Sequence, residues 1–308
     1  MLNSSLRYFT AVVRHGSIRE AAEDLHIAQS ALSRQIHKLE EDFGVQLLQR
    51  HARGVSLTSA GEIFLRYARS SLRHVEKVRS ELDALKGLRR GTITIYAIES
   101  LVPHLLPHAI ASFRERHPGV AFEITIDGSD HVVEAVREGR TDIGLAFYPP
   151  ADPEMVPIFK MREPLVAMMS SRHPLADKRR VSLADCVAYP IASPMKNTGS
   201  RILLDLACKA VGVHVSPALE TNSIPLRLEF VHVNDGITFL SRLSGWDSLR
   251  SGELVAVSLR DRLLNSATID AITHASRQLP LAAEEFLRIL QGEFQRLHDS
   301  VPTNVRLA

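Results

Sequence analysis

The chain has 308 residues, 45% of them apolar, and a net charge of +2; this length allows two or three domains with ample core. No apolar run of about 18 residues occurs, so no membrane-spanning helix is expected. The start lacks the apolar segment of a secretion signal, so the expected location is cytoplasmic and an exported solute-binding protein is excluded.

The charge is unevenly spread. Residues 1–90 carry 15 Lys and Arg against 10 Asp and Glu, and the remainder carries 22 against 25. A basic front and an acidic remainder suit nucleic acid at one end only.

In the front, Leu6, Phe9, Val12 and Val13 have helical spacing, and Gly16 ends that helix as a C-cap residue does. Ser17 with Glu20 makes a capping box for a second helix, whose buried stripe is Ile18, Ala21, Ala22 and Leu25. A short connection, His26 to Ala28, leads into a third helix reaching Phe43. Leu32, Ile36, Leu39 and Phe43 form its apolar stripe. Between them lie Gln29, Ser30, Ser33, Arg34, His37 and Lys38, and no acid precedes Glu40. Such a face approaches phosphates without repulsion, and Gln and Arg form paired hydrogen bonds with base edges. Two short helices on a tight turn, the second polar and basic at its start, are helix-turn-helix organisation. Val45–Arg50 and Val55–Leu57 then flank a basic turn holding Arg53 and Gly54. They read as a hairpin wing that lays Arg53 on a phosphate or in the minor groove.

Thr58 or Ser59 caps the next helix, and Ser59 with Glu62 forms another capping box. Leu65, Ala68, Leu72, Val75, Val78, Leu82 and Leu85 recur by threes and fours beneath a charged exterior. That is a coiled-coil seam roughly 40 Å long. A stripe so narrow buries little in one copy, so a partner helix from a second copy is expected. Leu72 and Leu82 are the positions where glutamate should break the pair. Gly87 to Gly91 reads as a hinge.

Beyond the hinge, short alternating runs and helical runs follow each other, which implies a parallel or mixed α/β sheet. Strands are expected at Thr92–Ala97, Ala121–Asp127, Ile143–Phe147 and Thr268–Thr273, and helices at Leu101–His117, Val132–Glu138, Arg201–Ala210 and Leu281–Leu297. No nucleophile elbow, zinc-protease motif, phosphate loop or dinucleotide fingerprint occurs, so an enzyme is not expected. His104 and His108 have metal-ligand spacing, but Pro107 lies between them and no third ligand is evident; both are expected to be solvated, with no metal. Cys186 and Cys208 give no disulfide framework.

The run A-A-E-D-L-H-I-A-Q-S-A-L-S-R-Q-I-H-K-L-E-E-D-F-G-V-Q-L-L-Q-R, followed by G-V-S-L-T-S-A-G, resembles the winged helix-turn-helix of LysR-type transcriptional regulators. Ala28 stands where that family usually has a small hydroxyl residue, which removes a cap contributing about 1 kcal/mol. The resemblance implies Gln29, Ser30, Ser33 and Arg34 as DNA-facing residues, Arg53 in the wing and Lys38 as a phosphate contact. A looser resemblance runs through G-R-T-D-I-G-L-A at Gly139–Ala146, H-P-L-A at His173–Ala176 and V-S-L-A-D at Val181–Asp185. It implies an effector domain of two α/β subdomains, like a periplasmic binding protein. The expected organisation is a winged helix-turn-helix at 1–58, a linker and dimerisation helix with hinge at 59–90, and an effector domain at 91–308. Within the last, subdomain I takes about 91–161 and 267–308, and subdomain II about 162–266. The chain is expected to cross near Ile158–Arg162 and return near Leu259–Ala267.

A small molecule would bind between the subdomains, where strand ends meet helix starts. Family position implies Ser100, Leu101 and Ser129 on one wall and Thr198, Ser200 and Asn222 on the other. Hydroxyls and helix starts suit a carboxylate. Glu99 departs from that picture: either the effector carries a cationic group or Glu99 points away. The expected partners are double-stranded DNA, a second copy with a tetramer beyond it, and the effector. RNA polymerase is a further candidate.

Overall fold

Leu6, Phe9 and Val12 are buried along the first helix, α1 (Leu2–His15). Gly16 ends it at φ 63°, a conformation glycine adopts without a Cβ clash. Ser17 then caps α2 (Ile18–Asp24) by accepting the Glu20 N–H at 3.4 Å. His26, at φ 54°, turns the chain into α3 (Gln29–Phe43). As expected, Ala28 gives α3 no side-chain cap. Strands β1 (Leu48–His51) and β2 (Gly54–Leu57) pair antiparallel, Leu48 opposite Leu57. The computed structural model describes residues 2–51, 54–84, 91–196, 198–300 and 305–306. Arg53, Leu85 and most of the expected hinge therefore lie outside the described residues.

Thr58, rather than Ser59, caps the long helix α4 (Ser59–Ala84); its hydroxyl accepts the Gly61 N–H at 3.0 Å. At 26 residues, α4 is about 39 Å long. Its first turns belong to the core of their own unit. Phe64, Leu65 and Ala68 are buried there beside Phe9, Leu32, Ile36 and Leu39, and Leu72 packs against the same cluster. The rings of Phe9 and Phe64 meet edge to face at 5.1 Å. The seam read from spacing is thus two stripes: Leu65, Ala68 and Leu72 turn inward, while Ile63, Tyr67, Val75 and Val78 are exposed. Phe43, expected in the buried stripe of α3, is 48% exposed, with its ring against Phe64.

The chain divides into two units, one built on these elements and the other on those that follow. The second contains two lobes. The first lobe begins with β3 (Gly91–Ala97), α5 (Leu105–Arg116), β4 (Val120–Ile126), α6 (Ser129–Arg137), β5 (Ile143–Phe147) and β6 (Met155–Arg162). The expected helix from Leu101 is interrupted. Val102 closes a 3-10 turn by donating to Glu99, and Pro103 has no N–H to carry the ladder on.

The second lobe runs through β7 (Leu165–Ser170), β8 (Arg180–Val181), α7 (Leu183–Cys186), β9 (Ile191–Ser193), α8 (Gly199–Val211), β10 (Leu219–Glu220), α9 (Ile224–Val233), β11 (Ile237–Ser241), α10 (Trp246–Ser251), β12 (Leu254–Leu259) and α11 (Arg262–Asn265). The chain then returns to the first lobe as β13 (Thr268–His274) and α12 (Leu281–Asp299). A last short strand, β14 (Val305–Arg306), lies beside β12. The first sheet has the order β4-β3-β5-β13-β6 and the second β10-β9-β11-β7-β12-β14, with β8 also on β12.

The crossing expected near Ile158–Arg162 falls inside a strand. β6 pairs with β13 along its length, and Glu163 and Pro164 make the passage. Pro157 disguises β6 in the sequence, because proline cannot donate to a ladder. It is tolerated at a sheet edge and next to a bulge, and β6 has both: it is the edge strand, and the register skips Ile158 beside Pro157. Among the described residues no helix is long and apolar enough to cross a membrane.

Candidate functional site

The outer face of α3 is the first site. Leu32, Ile36 and Leu39 are buried, so the helix turns Gln29, Ser30, Arg34 and Lys38 outward, with Ser33 half-buried. Its first turn carries no acid, and its first N–H groups lack a side-chain cap. Glu40 is engaged within the unit, where Oε1 accepts the N–H groups of Leu47 and Leu48 at 2.9 and 3.0 Å. That carboxylate fixes the start of β1. Arg50, on β1, is exposed and donates to Ser33 Oγ at 3.4 Å. It lines one groove with Ser33, Arg34 and His37. Sequence spacing passed over Arg50. The signal was its place on the exposed side of the first wing strand.

The second site is a cavity of about 360 Å³ between the two lobes. It forms where β3, β4, β5, β9 and β11 end and where α8 and α9 begin, the position that open α/β sheets offer to ligands. Six of the seven residues expected there line it: Glu99, Ser100, Ser129, Thr198, Ser200 and Asn222. Leu101 does not. It is fully buried in the hydrophobic core, because the 3-10 turn after β3 points it inward.

The hydroxyls divide into occupied and open groups. Thr198 Oγ1 caps α8 through the Arg201 N–H at 3.3 Å and bonds the Met195 carbonyl. Ser129 Oγ accepts the Phe147 N–H at 3.1 Å, and Ser223 caps α9. Ser100 Oγ is buried without a partner. Gly199 opens α8 against the other lobe; a Cβ there would lie 2.1 Å from the Phe147 carbonyl oxygen.

Glu99 neither points away nor stands free. Its Oε2 accepts the Ile224 N–H at 3.0 Å, so a carboxylate from the first lobe occupies the start of α9 in the second. Arg227, one turn further along α9, also lines the cavity and is 3% exposed. Burial pulls its pKa down to about 10, opposed by the nearby Glu99 charge. It therefore stays charged at neutral pH. Sequence reasoning missed Arg227.

His104 is not solvated as expected. Its Nε2 lies 3.0 Å from Asp247 Oδ1 and its ring packs near Trp246, whereas His108 is exposed. Among the described residues no cluster of three or more His, Cys, Asp or Glu is placed to hold a metal. Cys186 and Cys208 are buried free thiols; burial, mainly, pushes them up to about 12 and about 11.

Residues 4–62 match the family described as bacterial regulatory helix-turn-helix protein, lysR family, and residues 86–295 match the LysR substrate binding domain. The HTH-type transcriptional regulator BenM of Acinetobacter baylyi is 33% identical over 242 residues, covering 76% of this chain and 78% of that one. The uncharacterized HTH-type transcriptional regulator YbhD of Escherichia coli is 27% identical over 302 residues, 98% of this chain and 95% of that one. A full-length OxyR variant of Pseudomonas aeruginosa has a similar fold, with a TM-score of 0.74 at 20% identity over 99% of this chain and 97% of that structure.

Proposed function

Because the chain belongs to the LysR family of transcriptional regulators, a family of effector-responsive DNA-binding proteins and not of enzymes, we propose how its two sites divide that work. Gln29, Ser30, Ser33 and Arg34 read base edges from α3 in a major groove. Lys38, Arg50 and Arg53 hold the backbone, Arg53 from the wing. The observation that carries this is the orientation of α3, whose buried stripe leaves its acid-free polar half exposed.

The effector binds in the cavity between the lobes, against Ser100, Ser129, Ser200 and Asn222. Two copies pair through the exposed stripe of α4, and pairs associate into a tetramer. Two-fold pairing calls for inverted half-sites in the operator. The effector favours one arrangement of the lobes, the subunit arrangement follows, and the spacing or bend of bound DNA changes. This requires that the effector bind one arrangement more tightly than the other. The protein works where its DNA is, in the cytoplasm, with RNA polymerase as the downstream partner.

Selection of binding sites from random duplex DNA, followed by footprinting, tests the DNA half. Inverted half-sites protected by the full chain are expected; protection without sequence preference would reject base reading by α3. A thermal scan against a panel of metabolites tests the effector half. A ligand at about 100 times its Kd stabilises the native state by about 2.7 kcal/mol, and a Ser200→Trp variant with a filled cavity should lose that response.

A further inference from the structure

Among the described residues of the second unit, three arginines, Arg201, Arg227 and Arg242, are almost completely buried, and they differ in company. Arg201 reaches Asp205 at 2.8 Å, Glu220 at 3.1 Å, Ser193 at 3.2 Å and the Pro194 carbonyl at 3.1 Å. Arg242 has Glu163 at 3.7 Å and His298 at 3.1 Å. Arg227 has neither: its Nε and Nη1 are buried without a hydrogen-bond partner. A buried cation normally has a counter-ion, because desolvation is otherwise uncompensated. Glu99 is the charged group that acts on Arg227, yet Glu99 gives Oε2 to the Ile224 N–H. Cation, helix start and carboxylate thus meet in a cavity whose lining mixes apolar Ile98, Phe147 and Leu240 with polar Ser100, Asp127 and Asn222.

We propose that Arg227 is the anion receptor of this cleft and that Glu99 is its built-in competitor. The effector is a small organic carboxylate. Its carboxylate pairs with Arg227, takes the Ile224 N–H and displaces Glu99, releasing the link that Glu99 makes between the lobes. This rests on the reading of the cleft as the effector site. A guanidinium suits the role because its planar donors match a carboxylate. An organic cation is disfavoured, since it would enter beside a buried positive charge.

The test uses the full-length chain with acetate as the smallest practical probe, titrated against chloride at matched ionic strength, with the thermal midpoint as readout. The wild type should show a saturable rise in acetate. Arg227→Gln should weaken the apparent affinity by about tenfold or more, and Glu99→Gln should tighten it. Without acetate, Arg227→Leu should raise the midpoint, because it removes a desolvated cation whose Nε and Nη1 have no hydrogen-bond partner. A wild type that responds to acetate no more than to chloride overturns the proposal. So does an unchanged response in Arg227→Gln, or a fall in the midpoint of Arg227→Leu. Acetamide and tetramethylammonium separate this proposal from the broader reading. If either stabilises the wild type, and Ser200→Trp abolishes that response while Arg227→Gln leaves it intact, the cleft is the effector site but Arg227 is not its anion receptor. If the acetate response survives Ser200→Trp, the cleft reading itself fails.

Discussion

The Glu99 carboxylate accepts the Ile224 N–H at 3.0 Å, so a residue at the end of a first-lobe strand caps a second-lobe helix. The bond is local chemistry with a longer reach, since it joins the two walls of the cavity. Glu99→Ala removes the acceptor and should cost about 1 kcal/mol of stability. Urea unfolding should show a lower midpoint at unchanged slope. Glu99→Gln retains an acceptor oxygen and should recover most of the loss.

Arg34 and Arg50 border the same groove but should fail differently on DNA. Arg34→Ala should cost about 1–3 kcal/mol on the selected site and relax preference at one position. Arg50→Ala should weaken all sequences alike and reduce the salt slope by about 1. Binding isotherms at several salt concentrations separate the two. Equal losses of Arg34→Ala on all sequences would make it a backbone contact.

The proposed pairing through the exposed stripe of α4 predicts where association fails. Val75→Glu with Val78→Glu should shift sedimentation toward monomer without lowering the stability of the first unit. Leu65→Ala, made in that unit's own core, should instead destabilise it by about 2–5 kcal/mol. The pair Leu72 and Leu82 suggested by sequence spacing is a poorer test. Leu72 packs against the core, so its replacement would confuse unfolding with dissociation.

The buried cysteines set a pH dependence. Their thiols are raised from 9.0, Cys186 to about 12 and Cys208 to about 11. Below the unfolded value both states hold the proton and the thiols give no pH dependence. Above it the unfolded chain ionises first, so their contribution falls as pH rises through about 9 to 12. Stability measured across that range should decline more steeply in the wild type than in Cys186→Ala. Alkylation of the folded protein at pH 8 should be slow, because little thiolate forms.

Residues whose role is set by their own helix or strand were legible in the sequence. Leu32, Ile36 and Leu39 of α3 and the turn at Gly16 follow from spacing and side-chain chemistry alone, whereas Phe43 is exposed and the missing cap at Ala28 was read against the family's usual hydroxyl residue. Six cavity residues were reached through family resemblance. What failed depended on neighbours distant in sequence. Leu65, Ala68 and Leu72 have the spacing of a seam, but α1 already occupies that side of α4. Met155–Arg162 is hidden by Pro157 because its edge position is a property of the sheet. Arg227 sits in I-P-L-R-L-E-F-V-H-V, where apolar residues surround the helix and periodicity names no buried face. Its company, and so its meaning, appears only when Glu99 arrives from the other lobe.

The most direct measurement is the Kd for the selected operator with and without the compound that best stabilises the protein, in the wild type and in Ser200→Trp. A change in operator Kd or footprint in the wild type, absent in Ser200→Trp, is the expected result. The same change in both proteins, or none in the wild type, would contradict control of DNA binding through the cleft.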